Sequence, residues 1–257
     1  MADRWLEVGD GVFARRHDEL DLTTGLVVGA ERALVVDTAG DREQGARLRA
    51  AVRTITKLPL IIVITHAHFD HCFGTGAFPA GPVHAHPRCR ATIVATADAQ
   101  RAEWTRHYRD RGDHATADAL AATDPPLPGG TVDPVLDVDL GGRTVGLRHP
   151  GRGHTDHDVV AVAGDVVFAG DLVEQGAPPD LGDAVVADWP ATVSALLALD
   201  VSTFVPGHGD PMDRAEVTTQ RDELAEVAAL HAAVARGELD LATATARSPF
   251  PDVPWPA

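Results

Sequence analysis

The densest chemistry in the sequence lies in Thr65-His66-Ala67-His68-Phe69-Asp70-His71-Cys72. Imidazoles and carboxylates are donors for borderline or hard dications such as zinc, iron or manganese, and no thiolate is needed to complete a set. In an extended loop His66 and His68 project the same way, while the adjacent Asp70 and His71 diverge toward a neighbouring position. One short segment can therefore feed two metal ions. Three further donors each follow a predicted strand: His154 after Gly151-Arg152-Gly153, Asp171 after Gly170, and His208 after Pro206-Gly207. Glycines at these points let backbone crowd a site, and strand ends hold side chains more rigidly than free loops do. A single histidine is most often a satisfied core residue. Four donors within six residues, joined by three more at strand ends, point instead to a metal centre.

The elements that must position these donors can be traced from patterning. Thr24 to Val28 and Ala33 to Val36 are aliphatic or β-branched runs around Gly29-Ala30-Glu31-Arg32 and predict a hairpin. Asp41 to about Thr54 reads as a helix, and Leu60 to Ile64 as a continuous apolar strand that stops at the histidine motif. A strand is expected at Val83 to Ala85 and a helix from Arg88 to about Ala97. The polar stretch from 98 to 128, with Trp104, His107 and Tyr108 close together and a Pro/Gly breaker run at its end, predicts a helical insertion or lid. Two more hairpins follow, Val135 to Leu140 with Thr144 to Leu147, and Val159 to Ala163 with Val166 to Ala169. A short strand at Thr203 to Val205 precedes His208, and 214–236 reads as an amphipathic helix with Val217, Leu224, Val227, His231 and Val234 on one side. Hairpins, parallel-type apolar strands and helices in this alternation suggest two packed sheets with helices outside, in a single domain spanning 1–257.

Composition bounds the partners. The chain has 257 residues, with 22 Lys and Arg against 38 Asp and Glu, a formal charge of −16. Such a field repels phosphate backbones and anionic lipid, and no basic patch offsets it, so neither nucleic acid nor membrane is expected as a partner. Lys57 is the only lysine, beside a predicted strand, which leaves little basis for Schiff-base chemistry. The N-terminal residues lack an export pattern and no apolar run reaches membrane-spanning length, so a soluble, cytoplasmic protein is expected. Two cysteines, Cys72 and Cys89, agree with a reducing compartment.

HAHFDH, GRGHTDHD, FAGDLV and VPGHGD, taken together, resemble the successive metal motifs of the metallo-β-lactamase superfamily, and the likeness runs from about Gly11 to Asp210. The resemblance implies an αββα sandwich, of α+β class, with the site at one edge of the paired sheets. It further implies that His66, His68 and His154 bind a first metal, that Asp70, His71 and His208 bind a second, and that Asp171 bridges them. Two zinc ions are expected, with iron or manganese as alternatives, and a hydroxide between them as nucleophile. Asp70 is the expected proton carrier for the leaving group. Two dications less Asp70, Asp171 and one hydroxide leave a positive centre, which favours a small anionic or polarised substrate.

The superfamily leaves ester, thioester, lactone, amide, β-lactam and phosphoester hydrolysis open. The bridging aspartate argues against β-lactams, the lack of a tyrosine after Asp171 argues against quorum lactones, and sparse C-terminal basic residues argue against glutathione thioesters. A mononuclear iron persulfide dioxygenase using His66, His68, His154 and Asp171 is the main rival, opposed by the complete second set. A metal-binding module without turnover is a further alternative. Asp37-Thr38 is expected to support the ligand loop by hydrogen bonding, Cys72 to be a small buried apolar group, and His84 and His86 to be surface or supporting residues. His157 and Asp158 are expected to support His154. Trp104, His107, Tyr108, Glu174, Trp189 and Pro178-Pro179-Asp180 are the candidate pocket walls.

Overall fold

A computed structural model describes residues 4–255. One sheet has seven strands in sequence order: β1 (Trp5–Gly9), β2 (Val12–Arg16), β3 (Thr23–Val28), β4 (Ala33–Val36), β5 (Leu60–Val63), β6 (Val83–Ala85) and β7 (Gly130–Thr131). Pairing is antiparallel from β1 to β4 and parallel from β4 to β7. The second sheet comprises β8 (Val135–Asp139), β9 (Thr144–Arg148), β10 (Val160–Ala163), β11 (Val166–Gly170) and β12 (Thr203–Pro206), in the order β12-β11-β10-β9-β8. Only β11 and β12 run parallel there.

The residue patterns explain the layers. The run Leu60-Ile61-Ile62-Val63 in β5 is buried throughout, as a parallel strand covered on both faces must be. Its side chains alternate between two cores: Ile62, with Ile64 just beyond the strand, faces the helices, while Ile61 and Val63 face the second sheet. Outside the first sheet lie α1 (Arg42–Ile55), α3 (Pro87–Asp110) and α4 (His114–Ala121); outside the second lie α5 (Trp189–Leu197) and α6 (Arg214–Ala235). The result is the four-layer αββα sandwich. A short α7 (Leu241–Arg247) follows α6. Local signals set the helix starts: Asp41 accepts from the Gln44 amide ahead of α1, and Asp213 and Glu216 form a reciprocal capping box at α6.

Several expectations shift. The first sheet begins well before Thr24, because Trp5–Gly9 and Val12–Arg16 pair around Asp10-Gly11. The helix expected to stop near Ala97 continues to Asp110, since nothing between these residues breaks it, and α4 follows it; together they occupy most of 98–128. On α6 the buried stripe passes through Leu230 in place of His231, whose ring stacks on Trp255 at 5.8 Å.

Candidate active site

The histidine motif leaves the C-terminal end of β5, and its residues Phe69–Cys72 form the single turn α2. His154 follows β9, Asp171 directly follows β11, and His208 lies just past β12. All seven donors converge at one edge of the sandwich in two groups, His66, His68, His154 and Asp171 in one and Asp70, His71 and His208 in the other. The resemblance divides the six other donors in the same way, and places Asp171 between the two sets where the grouping here puts it with the first.

Within the first group His68 Nδ1 lies 3.1 Å from His66 Nε2 and 3.0 Å from His154 Nε2, and Asp171 Oδ2 lies 3.5 Å from both of the latter. In the second, His71 Nε2 and His208 Nε2 are 3.2 Å apart, and Asp70 Oδ2 is 3.7 and 3.4 Å from them. Asp171 also reaches this group, with Oδ1 3.2 Å from His71 and Oδ2 3.4 Å from His208. Zinc with ligands at about 2.0–2.1 Å in a tetrahedron separates its donors by roughly 3.3–3.4 Å. The donors thus stand at the separations a shared ion would impose. Asp171 Oδ1 is buried and has no hydrogen bond, an orphan acceptor that a cation would satisfy. The residues present therefore fit a pair of divalent metal ions.

In four of the five histidines the ring nitrogen facing away from the cluster is tied down, the pattern that fixes tautomer and orientation in metal-binding histidines. Asp37 Oδ2 accepts from His71 Nδ1 and from the Thr65 hydroxyl, both at 2.8 Å, and Thr65 Oγ1 in turn accepts from His66 Nδ1 at 3.0 Å. One carboxylate thereby steers a donor in each group. His208 Nδ1 donates to the Leu20 carbonyl, and His68 Nε2 donates to Asp183 Oδ1 at 3.1 Å. His154 Nδ1 is buried without a partner; its ring is held by packing, 5.7 Å from Trp189. Gly207 is obligatory, because a Cβ there would lie 1.7 Å from Asp171 Oδ1.

Charges follow from this crowding. Burial pulls the His154 imidazole down to about 4, and burial and His71 lower that of His66. Burial also opposes charge on His208, but Asp171 and Asp70 outweigh it and raise the ring to about 10. Asp171 stays ionised despite burial, because His71, His208 and His66 hold it well below the ordinary carboxylate value. Without metal, protons on the second group do part of the neutralising that dications would do.

A cavity of about 500 Å³ opens over the donors. One stripe of α3, Thr92, Thr96, Gln100, Glu103 and Trp104, recurs at helical spacing along its wall. The opposite rim is the segment between β11 and α5, which contributes Glu174, Asp180 and Asp183. Trp104, Glu174 and Asp180 are thus walls as expected, whereas His107, Tyr108, Trp189, Pro178 and Pro179 are not among the lining residues. Tyr108 turns inward, its hydroxyl donating to Glu19 at 2.6 Å, and Trp189 Nε1 donates to the Leu172 carbonyl behind the site. Glu103, Gln100 and Asp183 escaped the sequence reading. The first two would have shown had the helical stripe been followed beyond Ala97; nothing local marks Asp183, whose partner is 115 positions away. Among the described residues that line the cavity there is no Lys or Arg.

The neighbouring residues behave as supports. His157 Nε2 accepts from the Ala67 amide, so it braces the ligand loop more directly than His154, and Asp158 accepts from the amide and hydroxyl of Thr155. Cys72 is 1% exposed and burial raises its thiol well above the ordinary value, in keeping with a packing role. His86 caps α3 and is buried; His84 is half-buried beneath Gly130.

The family model described as the metallo-beta-lactamase superfamily matches residues 4–208. This chain belongs to that superfamily. Superfamily membership and the clustered His and Asp donors make it a metal-dependent hydrolase. It is 26% identical over 219 residues to the type 2 metallo-beta-lactamase of Bacillus cereus, covering 82% of this chain and 75% of that one. The type 2 metallo-beta-lactamase of Bacillus sp. (strain 170) is likewise 26% identical over 219 residues, covering 82% of this chain and 74% of the relative. Among solved structures, a metallo-beta-lactamase from Pontibacter korlensis superposes with a TM-score of 0.67 at 20% identity, over 85% of this chain and 98% of its own. That superposition supports the superfamily fold. Among the described residues no helix is long and apolar enough to cross a membrane.

Proposed function

We propose that the protein is a dinuclear zinc hydrolase cleaving an ester, thioester, lactone or amide bond in a small substrate. His66, His68 and His154 would hold one ion, Asp70, His71 and His208 the other, and Asp171 would lie between them. The observation that carries this reading is Asp171, whose two oxygens approach donors of both groups within 3.2–3.5 Å. Ions bound there would supply hydroxide near neutral pH and polarise the scissile carbonyl.

The chain's own residues account for the rest. Asp70 has its carboxylate 12% exposed and lines the cavity, so of the two carboxylates in the cluster it is the better placed to pass a proton to a leaving group. Asp171, 6% exposed and hemmed by four imidazoles, is kept ionised and suits holding over proton transfer. Gln100 accepts from the Phe69 amide and donates to the Ala67 carbonyl, so α3 fixes the ligand loop as well as walling the cavity. The 98–128 segment would then serve as a wall or lid within one domain.

β-Lactam hydrolysis is the second reading, favoured by the names of the two Bacillus relatives. Metal content by plasma emission, with a panel of thioester, lactone, ester, phosphodiester and β-lactam substrates before and after chelation, tests both. About two zinc per chain with one chelator-sensitive hydrolysis is the expected result. One iron per chain with oxygen uptake would replace the hydrolase with a dioxygenase.

A further inference from the structure

The metal cluster by itself attracts anions, which is why the motifs suggest an anionic substrate, but the structure surrounds that cluster with a wall of opposite character. Glu103 on α3 faces the cavity from one side, and Asp180 and Asp183 from the other. Asp21 also lines it but is neutralised by Arg16, whose Nη2 donates to Asp21 Oδ2 at 2.6 Å. Glu174 also lines it, but is buried, 8% exposed.

Two dications carry four positive charges; Asp70, Asp171 and a hydroxide return three, and the three wall carboxylates turn the remaining single positive charge into a net of two negative. The sign of the cavity therefore changes between its floor and its mouth. Beside Glu103 the indole of Trp104 lies against Phe69, ring centres 4.5 Å apart and planes tilted by 33°, and both rings line the cavity. An aromatic face flanked by carboxylates attracts organic cations. The cavity opens directly over the His and Asp donors, so a substrate reaching them must pass this wall.

We propose that the substrate is cationic, its scissile carbonyl reaching the His and Asp cluster while an ammonium group lies against Trp104 between Glu103, Asp180 and Asp183. This rests on the hydrolase reading of the same site. Asp183 has two duties here: it holds His68 and, with 53% of its side chain exposed, remains accessible to the cation. Carboxylate- and phosphate-bearing substrates would meet no Lys or Arg among the described lining residues and would be repelled at the mouth.

The test uses three thioacetates on the zinc-loaded protein: one with a distal trimethylammonium group, its neutral tert-butyl isostere, and a carboxylate analogue. The cation is expected to exceed the isostere by roughly tenfold in kcat/KM, and the carboxylate by more, with both ratios shrinking at high salt. In E103Q/D180N the ratio of cation to isostere should fall toward one. Both side chains are exposed, and D180N retains a side-chain oxygen to accept from the Gly182 amide, so the variant should fold. An isostere turned over as fast as the cation, or a preferred carboxylate, overturns the substrate class and leaves the hydrolase reading standing. If none of the three is cleaved, the thioester branch of the hydrolase reading loses its support. Calorimetric titration with choline against 3,3-dimethylbutanol then decides the cation site alone: tighter choline binding supports it, and equal or absent binding overturns it.

Discussion

Asp37 is a single buried carboxylate on which two imidazoles from different donor groups depend, one directly and one through Thr65. In Asp37→Asn an amide NH₂ must face either the His71 N–H and the Thr65 O–H, at the place of Oδ2, or the Thr65 N–H, at the place of Oδ1, so a donor meets a donor at unchanged volume. The expected outcome is a loss of roughly 10–100-fold in affinity at both ions together, read by competition with a chromophoric chelator. Loss of one ion with the other unaffected would mean that the two groups are positioned independently. The donors themselves were legible from sequence because seven chemically matched residues recur beside glycine and strand ends. Asp37 was legible only through its motif, and Asp183 not at all, because a hydrogen bond across 115 positions leaves no local trace.

At the scale of elements, the segment between β11 and α5 and the loop before β10 each bury an acid. Burial pushes Glu174 up to about 8 and Asp158 up to about 7, from ordinary values of 4.5 and 3.8. Each binds its proton more tightly folded than unfolded, so its contribution to stability is full below the ordinary value. That contribution is lost as pH rises through about 8 and about 7 respectively. The Tm of the chelated protein should therefore fall between about pH 5 and pH 9, and E174Q/D158N should fall less steeply, by a few degrees across the window. Parallel slopes in differential scanning calorimetry would mean that these acids do not titrate as described. Strand and helix identities followed from period and breakers, as in the wholly apolar β5. The end of α3 did not, because its polar second half carries no capping residue until Gly112 and its stripe faces a cavity instead of a core.

For the molecule as a whole, the decisive contact is between the sheets. Gly25 of β3 lies under the ring of Phe168 of β11, where a Cβ would approach Cε1 to 2.4 Å. Gly25→Val should therefore force the sheets apart or displace the ring, at a cost of about 1–3 kcal/mol by the usual effect of overpacking. A drop in Tm accompanied by weaker metal retention is the expected pair of results; a lower Tm with metal affinity intact would show that the site tolerates looser docking. The two-sheet plan was legible from the hairpins and apolar strands, whereas which glycine admits which ring depends on side-chain shape across the interface.

The donors are divided along the chain: His66, His68, Asp70 and His71 come from the loop after β5, and His154, Asp171 and His208 from the ends of the second sheet. Neither stretch alone contains a complete group. A nascent or proteolysed chain bearing only the first sheet would hold two stray pairs of donors, and a chain with misdocked sheets would fare no better. Metal held by these donors would thus work as an inspection stamp, issued only after both sheets have met in register. Metal stoichiometry in a purified sample is accordingly a measure of the fraction correctly assembled, and a destabilised variant would announce itself by shedding ions before it loses its helices.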